Sequence, residues 1–197
     1  MKRLVDCAAL VESKFSGYEL LDVGCRTKDL KPLIPGCMRY QGLDMVDADE
    51  VIGCNLEEGI PFPDKSFDIA IALDVIEHLD RAHFVVNEML RVSRKGIIVS
   101  LPNMYYWSFR INFLLGKGIS GKYTFPPKPP TDRHRWILSY EESVVFMRAL
   151  AGKDDIEIYK IMPQRGRLKK LMPFELWLAN RFPNLLAYGS LFYISLQ

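Results

Sequence analysis

Histidine is scarce in this chain. With three in 197 residues, any imidazole chemistry rests on His78, His83 or His134. Cysteine is also sparse. Cys7, Cys25, Cys37 and Cys54 form no C-x-x-C pair and lie in the first third of the chain, which argues against a zinc site or disulfide framework and fits a reducing compartment. No run of 18 apolar residues exists, so no membrane-spanning segment is expected, and at most peripheral membrane contact. The opening "MKRLVDCAALVESKF" starts like a signal peptide, but Asp6 and Glu12 interrupt it, and a short amphipathic helix is the better expectation. Charge of one sign is lacking too. A net +2 with pI near 8.3 is too mild to argue for a nucleic-acid partner from the total alone, so any basic patch must be argued locally, and no nucleic acid is expected. There is no internal repeat and no low-complexity stretch. The expectation is a cytoplasmic protein of one domain, residues 1–197, large enough to bury a real core.

What is present is alternation. Short apolar runs are separated by helical patterns, which predicts a parallel sheet with crossover helices, an α/β doubly wound fold. Strands are expected at 19–23, 39–43, 50–54, 67–73, 96–101, 156–161 and 190–196. The last two lack the usual crossover between them, so an antiparallel edge is expected there. Helices are expected at 81–92 and 139–150, the second with Ser139 as N-cap and Glu142 completing a capping box. Two segments exceed a minimal domain of this kind: 103–136, aromatic then proline-rich, and 163–186, basic and aromatic. Insertions at strand ends are where such sheets build substrate sites.

The loop after the first strand is poor in glycine. In "LLDVGCRTKDL" the spacing D-x-G-x-G-x-G is filled as Asp22, Gly24, Arg26, Lys28, and a helix is expected from about Thr27. A glycine at 24 gives the turn its backbone freedom and lets the chain approach a ligand closely. If only Gly24 needs an unusual backbone angle, Arg26 and Lys28 can be tolerated. Lys28 near a helix start could then help to bind a carboxylate. Asp44, twenty-two residues after Asp22 and at the end of the second strand, suits the two hydroxyls of a ribose. A nicotinamide-binding loop is disfavoured, because "GCRTKD" is not G-x-G-x-x-G.

"LLDVGC", "GLD", "PFPDKSFDIAIALDVIEHL" and "MLRVSRKGIIVSLPN" together resemble the class I S-adenosylmethionine-dependent methyltransferases. The resemblance implies a seven-stranded Rossmann-like sheet ordered 3-2-1-4-5-7-6 with strand 7 antiparallel, and S-adenosyl-L-methionine as cofactor. It also implies that Asp22 and Gly24 flank the methionine part, Asp44 the ribose and Asn55-Leu56 the adenine, with Asp74 facing the sulfonium. "DVIEHL" puts Asp74, Glu77 and His78 at i, i+3, i+4, a spacing that could share one helical face as metal ligands do. A related E-x-x-E-H arrangement binds a divalent metal in small-RNA 2′-O-methyltransferases. However, E-H-L after the fourth strand is widespread in metal-free methyltransferases, where it orders the loop, and no metal is expected.

Further on, "NEMLRVSRKGIIVSLPNMYYWSFRINFLLGKG" with "DRHRWILSYEES" resembles the MetW-type methionine-biosynthesis proteins and methyltransferases of glycan clusters. That resemblance implies a small-molecule or glycan-like acceptor, held by 103–136. It also implies an alternative, a weakly catalytic or non-catalytic partner of a homoserine acyltransferase. His134 is the candidate proton acceptor, because the insertion should fold back over the site. Tyr105, Tyr106, Trp107 and Phe109 are candidates for an acceptor wall or for packing. His83 is expected at the surface. Arg165, Arg167, Lys169 and Lys170 beside "LMPFELWLANRF" could mark a protein partner or a membrane surface.

Overall fold

β4, "FDIAIAL" at Phe67–Leu73, explains the architecture best. It is apolar without alternation and buried almost throughout, as a central parallel strand covered on both faces must be. It pairs in parallel with β1 (Tyr18–Val23) on one side and β5 (Ser93–Pro102) on the other. β2 (Cys37–Asp44) and β3 (Val51–Gly53) extend the sheet beyond β1. Beyond β5 lies β7 (Gly189–Ser195), antiparallel to β5 and to the edge strand β6 (Asp155–Ile161). The order is 3-2-1-4-5-7-6. The computed structural model describes residues 2–119, 121–123, 127–128, 133–152, 155–161 and 172–196.

Side chains alternate between the two faces. Leu21, Val23, Ala70, Ala72, Ile97, Val99, Phe192 and Ile194 join one core cluster, under α2 (Ala82–Val92) and α4 (Tyr140–Ala151). Val85, Val86, Met89 and Val92 of α2 are all buried there. That spacing is the apolar stripe of a surface helix. Leu20, Ile69, Ile71, Ile98, Leu191 and Tyr193 point to the other face, where α1 (Lys2–Lys14) lays down Cys7, Ala8, Leu10 and Val11. α4 begins as expected: Ser139 accepts from the Glu142 N–H, and the Glu142 carboxylate accepts from the Ser139 N–H at 2.8 Å. All seven strands fall within a few residues of their expected bounds. Within β5 the close approach of β7 demands glycine at position 96, where an added Cβ would sit 2.4 Å from the Ile194 carbonyl oxygen.

One expected helix is missing. No α-helix begins near Thr27. Residues 24–30 form turns, followed by a single 3-10 turn at Lys31–Leu33. The left-handed angles at Gly24, Arg26 and Lys28 and the prolines at 32 and 35 leave no room for a helical ladder.

Of the 103–136 insertion, α3 (Trp107–Leu114) is described. The chain returns at 133–136 and is fastened to the end of β4. Arg135 N–H donates to the Glu77 carbonyl at 2.8 Å, and the Trp136 indole to the Leu79 carbonyl at 2.7 Å. α5 (Met172–Arg181) and α6 (Pro183–Leu186) lead into β7. Arg165, Arg167, Lys169 and Lys170 lie outside the described residues. No helix among the described residues is long and apolar enough to cross a membrane.

Candidate functional site

The strand order reverses between β1 and β4, and ligands of open α/β sheets bind outside the carboxyl ends at such a switch point. A cleft of about 520 Å³ opens there, within the roughly 300–1,000 Å³ usual for small-molecule sites. Its walls come from Gly24 and Arg26 after β1, Asp44 and Met45 after β2, and Asn55, Leu56 and Glu57 after β3. Asp74, Val75 and His78 after β4 close one end, with Arg3, Lys122 and His134.

Asp44 is held by backbone. Its Oδ2 accepts from Arg26 N–H and its Oδ1 from Met45 N–H, both at 2.7 Å. Each oxygen keeps further acceptor capacity. The next strand end supplies Asn55, whose Oδ1 accepts from Glu57 N–H at 3.1 Å and so starts the turn Leu56–Glu58.

The glycine-poor loop behaves differently from expectation. Gly24 has φ 72°, but Arg26 has φ 48° and Lys28 φ 57°. All three positions of the motif are left-handed, so Arg26 and Lys28 occupy conformations that glycine adopts without strain. Lys28 does not reach the cleft. Its ammonium donates to the Asp49 carbonyl at 2.7 Å and lies near the Asp49 and Glu50 carboxylates. The expected role in binding a cofactor carboxylate is therefore corrected: the left-handed backbone turns this side chain onto the loop before β3. Asp22 is also not a wall of the cleft. It is 5% exposed and accepts from the Tyr40 hydroxyl at 2.6 Å. Burial, against that hydrogen bond, pushes its carboxyl up to about 6.

Asp74 faces the cleft at φ 56°. Its Oδ1 accepts from Ser100 Oγ at 2.7 Å and its Oδ2 pairs with the Arg3 guanidinium at 2.9 Å. Arg3, brought in by α1, is a cleft residue that the sequence reading missed. An arginine in the first turn of an amphipathic helix carries no local signal of such a role. The shared helical face expected for Asp74, Glu77 and His78 does not form, because Ile76–His78 is a single 3-10 turn.

His134 sits in the cleft as expected, and it meets the β4 end there. Its ring packs edge-on against His78, centroids 4.7 Å apart, and its Nε2 is 3.9 Å from Glu77 Oε1. Glu77 is 1% exposed. Burial, with the Asp74 charge beside it, pushes its carboxyl up to about 8. His83 is exposed, as expected. The aromatic run gives no acceptor wall: none of its four residues lines the cleft. Tyr106 is buried against Phe109 and Tyr188, while Tyr105 and Trp107 are exposed.

This sheet order with a cleft at the β1/β4 switch point defines the class I methyltransferase fold. The structure resembles an S-adenosylmethionine-dependent methyltransferase from Thermotoga maritima, with a TM-score of 0.63 and 15% identity over 98% of this chain and 89% of that one. It also resembles magnesium protoporphyrin IX methyltransferase from Synechocystis, solved with bound SAH, with a TM-score of 0.59 and 13% identity over 100% of this chain and 83% of that one. Residues 5–129 match the family described as methionine biosynthesis protein MetW, and the chain belongs to that family. A bifunctional methionine biosynthesis protein MetXA/MetW from Rhodopirellula baltica is 29% identical over 130 residues, 56% of this chain. The chain spans about a fifth, 21%, of the length of that curated relative.

Proposed function

We propose that the cleft binds S-adenosyl-L-methionine and that the chain transfers its methyl group to a small-molecule or glycan-like acceptor. The observation that carries this reading is Asp44. A strand-end carboxylate is oriented by two backbone N–H groups, with acceptor capacity left over for a pair of ribose hydroxyls. The other residues are compatible with the cofactor. Asn55 and Leu56 line the cleft where this reading puts the adenine, and Arg3 and Asp74 offer opposite charges at the end where it puts the methionine amino acid group. When bound, the cofactor supplies an electrophilic methyl group, and the protein's part is to place the acceptor in line with it. Asp74 is a positioning residue here, since Arg3 and Ser100 already hold its carboxylate. His134 lines the cleft and, on this reading, is the candidate proton acceptor. Calorimetry with S-adenosylmethionine and S-adenosylhomocysteine tests the reading: micromolar binding is expected, and no binding at millimolar ligand would overturn it.

A second reading has its own support. The relative from Rhodopirellula baltica joins a MetW part to a MetXA part in one chain, and α3 with the residue after it presents Ile111, Phe113, Leu114 and Leu115 to solvent. On this reading the domain docks on an acyltransferase and modulates it, through α3 or through the 163–186 segment, where Leu176 and Trp177 of α5 are also exposed. Co-elution with a homoserine acyltransferase, abolished by Phe113→Ser with Leu114→Ser, would support it. Separate elution of both proteins at high micromolar concentration would remove it.

A further inference from the structure

The inner end of the cleft gathers three groups that the sequence keeps far apart in role. One ring nitrogen each from His78 and His134, and a carboxylate oxygen of Glu77, all lie within 4.8 Å of one another. We infer that these three residues form a binding site for one divalent first-row ion: manganese, iron, cobalt or zinc.

The first argument is the state of Glu77. Its side chain is almost fully buried, and neither carboxylate oxygen has a hydrogen-bond partner among the described residues. The nearest ring nitrogen of His134, at 3.9 Å, is beyond hydrogen-bond range. Protonating the acid would not help, since the new O–H would also need an acceptor. A buried polar group left so is costly. A cation between Glu77 and the two rings removes the deficit.

The second argument is how the imidazoles are held. His78 Nδ1 lies 2.8 Å from the Arg133 carbonyl oxygen, which can only accept, so Nδ1 carries the proton. His134 Nδ1 lies 3.1 Å from the Tyr123 hydroxyl oxygen. That hydroxyl spends its own hydrogen on the Trp136 carbonyl, so again Nδ1 carries the proton. In each ring Nδ1 is then committed as a donor to an oxygen acceptor. Metal-bound histidines are oriented in this way, by a carbonyl or oxygen acceptor on the other nitrogen.

Distances and ligand types agree. With metal–ligand bonds of about 2.0–2.2 Å, two ligands of one ion stand roughly 3–4.3 Å apart. The Glu77–His134 separation falls in that range, and since no separation exceeds 4.8 Å, a closure of at most about half an ångström meets it. Two imidazoles and one carboxylate suit first-row transition ions and zinc, whereas magnesium and calcium prefer oxygen throughout. The ligands come from both sides of a braced junction, because the segment holding His134 is hydrogen-bonded to the turn holding Glu77 and His78. His78 and His134 line the cleft while Glu77 lies behind them, so the remaining coordination positions of the ion face the cleft. An ion on Nε2 takes His134 out of the role of proton acceptor. The site does not depend on the cofactor reading.

The test is a metal titration of the whole chain without cofactor. Protein stripped with EDTA and dialysed would be titrated with manganese by electron paramagnetic resonance, and with cobalt by absorption. One equivalent should bind at micromolar concentration. His78→Gln and His134→Gln should each weaken binding by on the order of tenfold or more, and Tyr123→Phe, which removes the acceptor at His134 Nδ1, by about tenfold. Asp44→Asn should leave metal binding unchanged even where it impairs binding of S-adenosylmethionine. Circular dichroism confirms that each variant is folded, and because Glu77→Gln alters a buried site, the two histidine variants decide the matter. Absence of binding at millimolar manganese, cobalt and zinc would overturn the inference. So would binding that the folded His78→Gln and His134→Gln proteins retain in full.

Discussion

The backbone N–H of Arg26 donates to Asp44 Oδ2 at 2.7 Å, across the ends of β1 and β2. The strand-end acid thus fastens the very loop whose glycines are missing, while facing the cleft. Asp44→Ala should then do two things. Cofactor affinity should fall by roughly 2–4 kcal/mol, since hydrogen bonds to a charged group contribute about 1.5–3 each. Stability should also fall by about 1–3 kcal/mol, because the loop N–H loses its acceptor. Urea unfolding and calorimetry separate the two effects. A fully stable variant with unchanged affinity would refute both.

The left-handed loop makes its own prediction. Arg26→Gly and Lys28→Gly should each stabilise the fold by up to about 1 kcal/mol, because glycine adopts a positive φ without the clash between Cβ and backbone. Lys28→Gly also removes exposed ion pairs, which contribute little. Neither change should weaken cofactor binding greatly. Gly24→Val should abolish it, because a Cβ at Gly24 would lie 2.5 Å from Val75 Cγ2 in the cleft wall. Thermal melts that move downward for both glycine variants would count against a strained loop.

Buried Asp22 should set a pH dependence. Its folded carboxyl stands at about 6, above the ordinary value of 3.8. The folded state therefore holds this proton more tightly than the unfolded state, and stability from this group falls as pH rises from about 4 to about 6. A shift of this size corresponds to roughly 2–3 kcal/mol. Asp22→Asn should flatten that part of the stability curve, with its amide oxygen still accepting from Tyr40. Identical slopes for parent and variant, in urea titrations spanning roughly pH 4.5 to 6.5, would remove Asp22 as the cause.

Asn103 should be the costliest polar residue to truncate near the site. It is 1% exposed, and its amide nitrogen donates to the Ala187 carbonyl at 2.7 Å and the Asn184 carbonyl at 3.0 Å. Its Oδ1 accepts from Tyr105 N–H at 3.0 Å. It ties the end of β5 to the chain entering β7. Asn103→Ala should cost about 2–3 kcal/mol, as buried partners lose their bonds. A loss under about 0.5 kcal/mol by denaturant unfolding would show that water replaces them.

Strand positions, the capped α4 and the acid at the end of β2 were legible along the chain, because each depends on neighbours a few residues away. Apolar runs mark buried strands, Ser139 and Glu142 cap a helix start, and Asp44 follows its strand directly. The sheet order came from resemblance rather than from periodicity, since strand pairing is a long-range choice. Three things were decided only by folding. Arg26 and Lys28 take left-handed angles because the β1–β2 connection must turn back onto Asp44, and side-chain identity there did not reveal it. Arg3 reaches Asp74 because α1 packs across the sheet face. His134 meets Glu77 and His78, far earlier in the chain, because the Arg135 N–H, the Arg133 carbonyl and the Trp136 indole hydrogen-bond that segment onto the turn after β4. Local sequence specifies what each residue can do; which of them share a site depends on how a twisted sheet and its returning loops bring distant backbone groups into pairing distance.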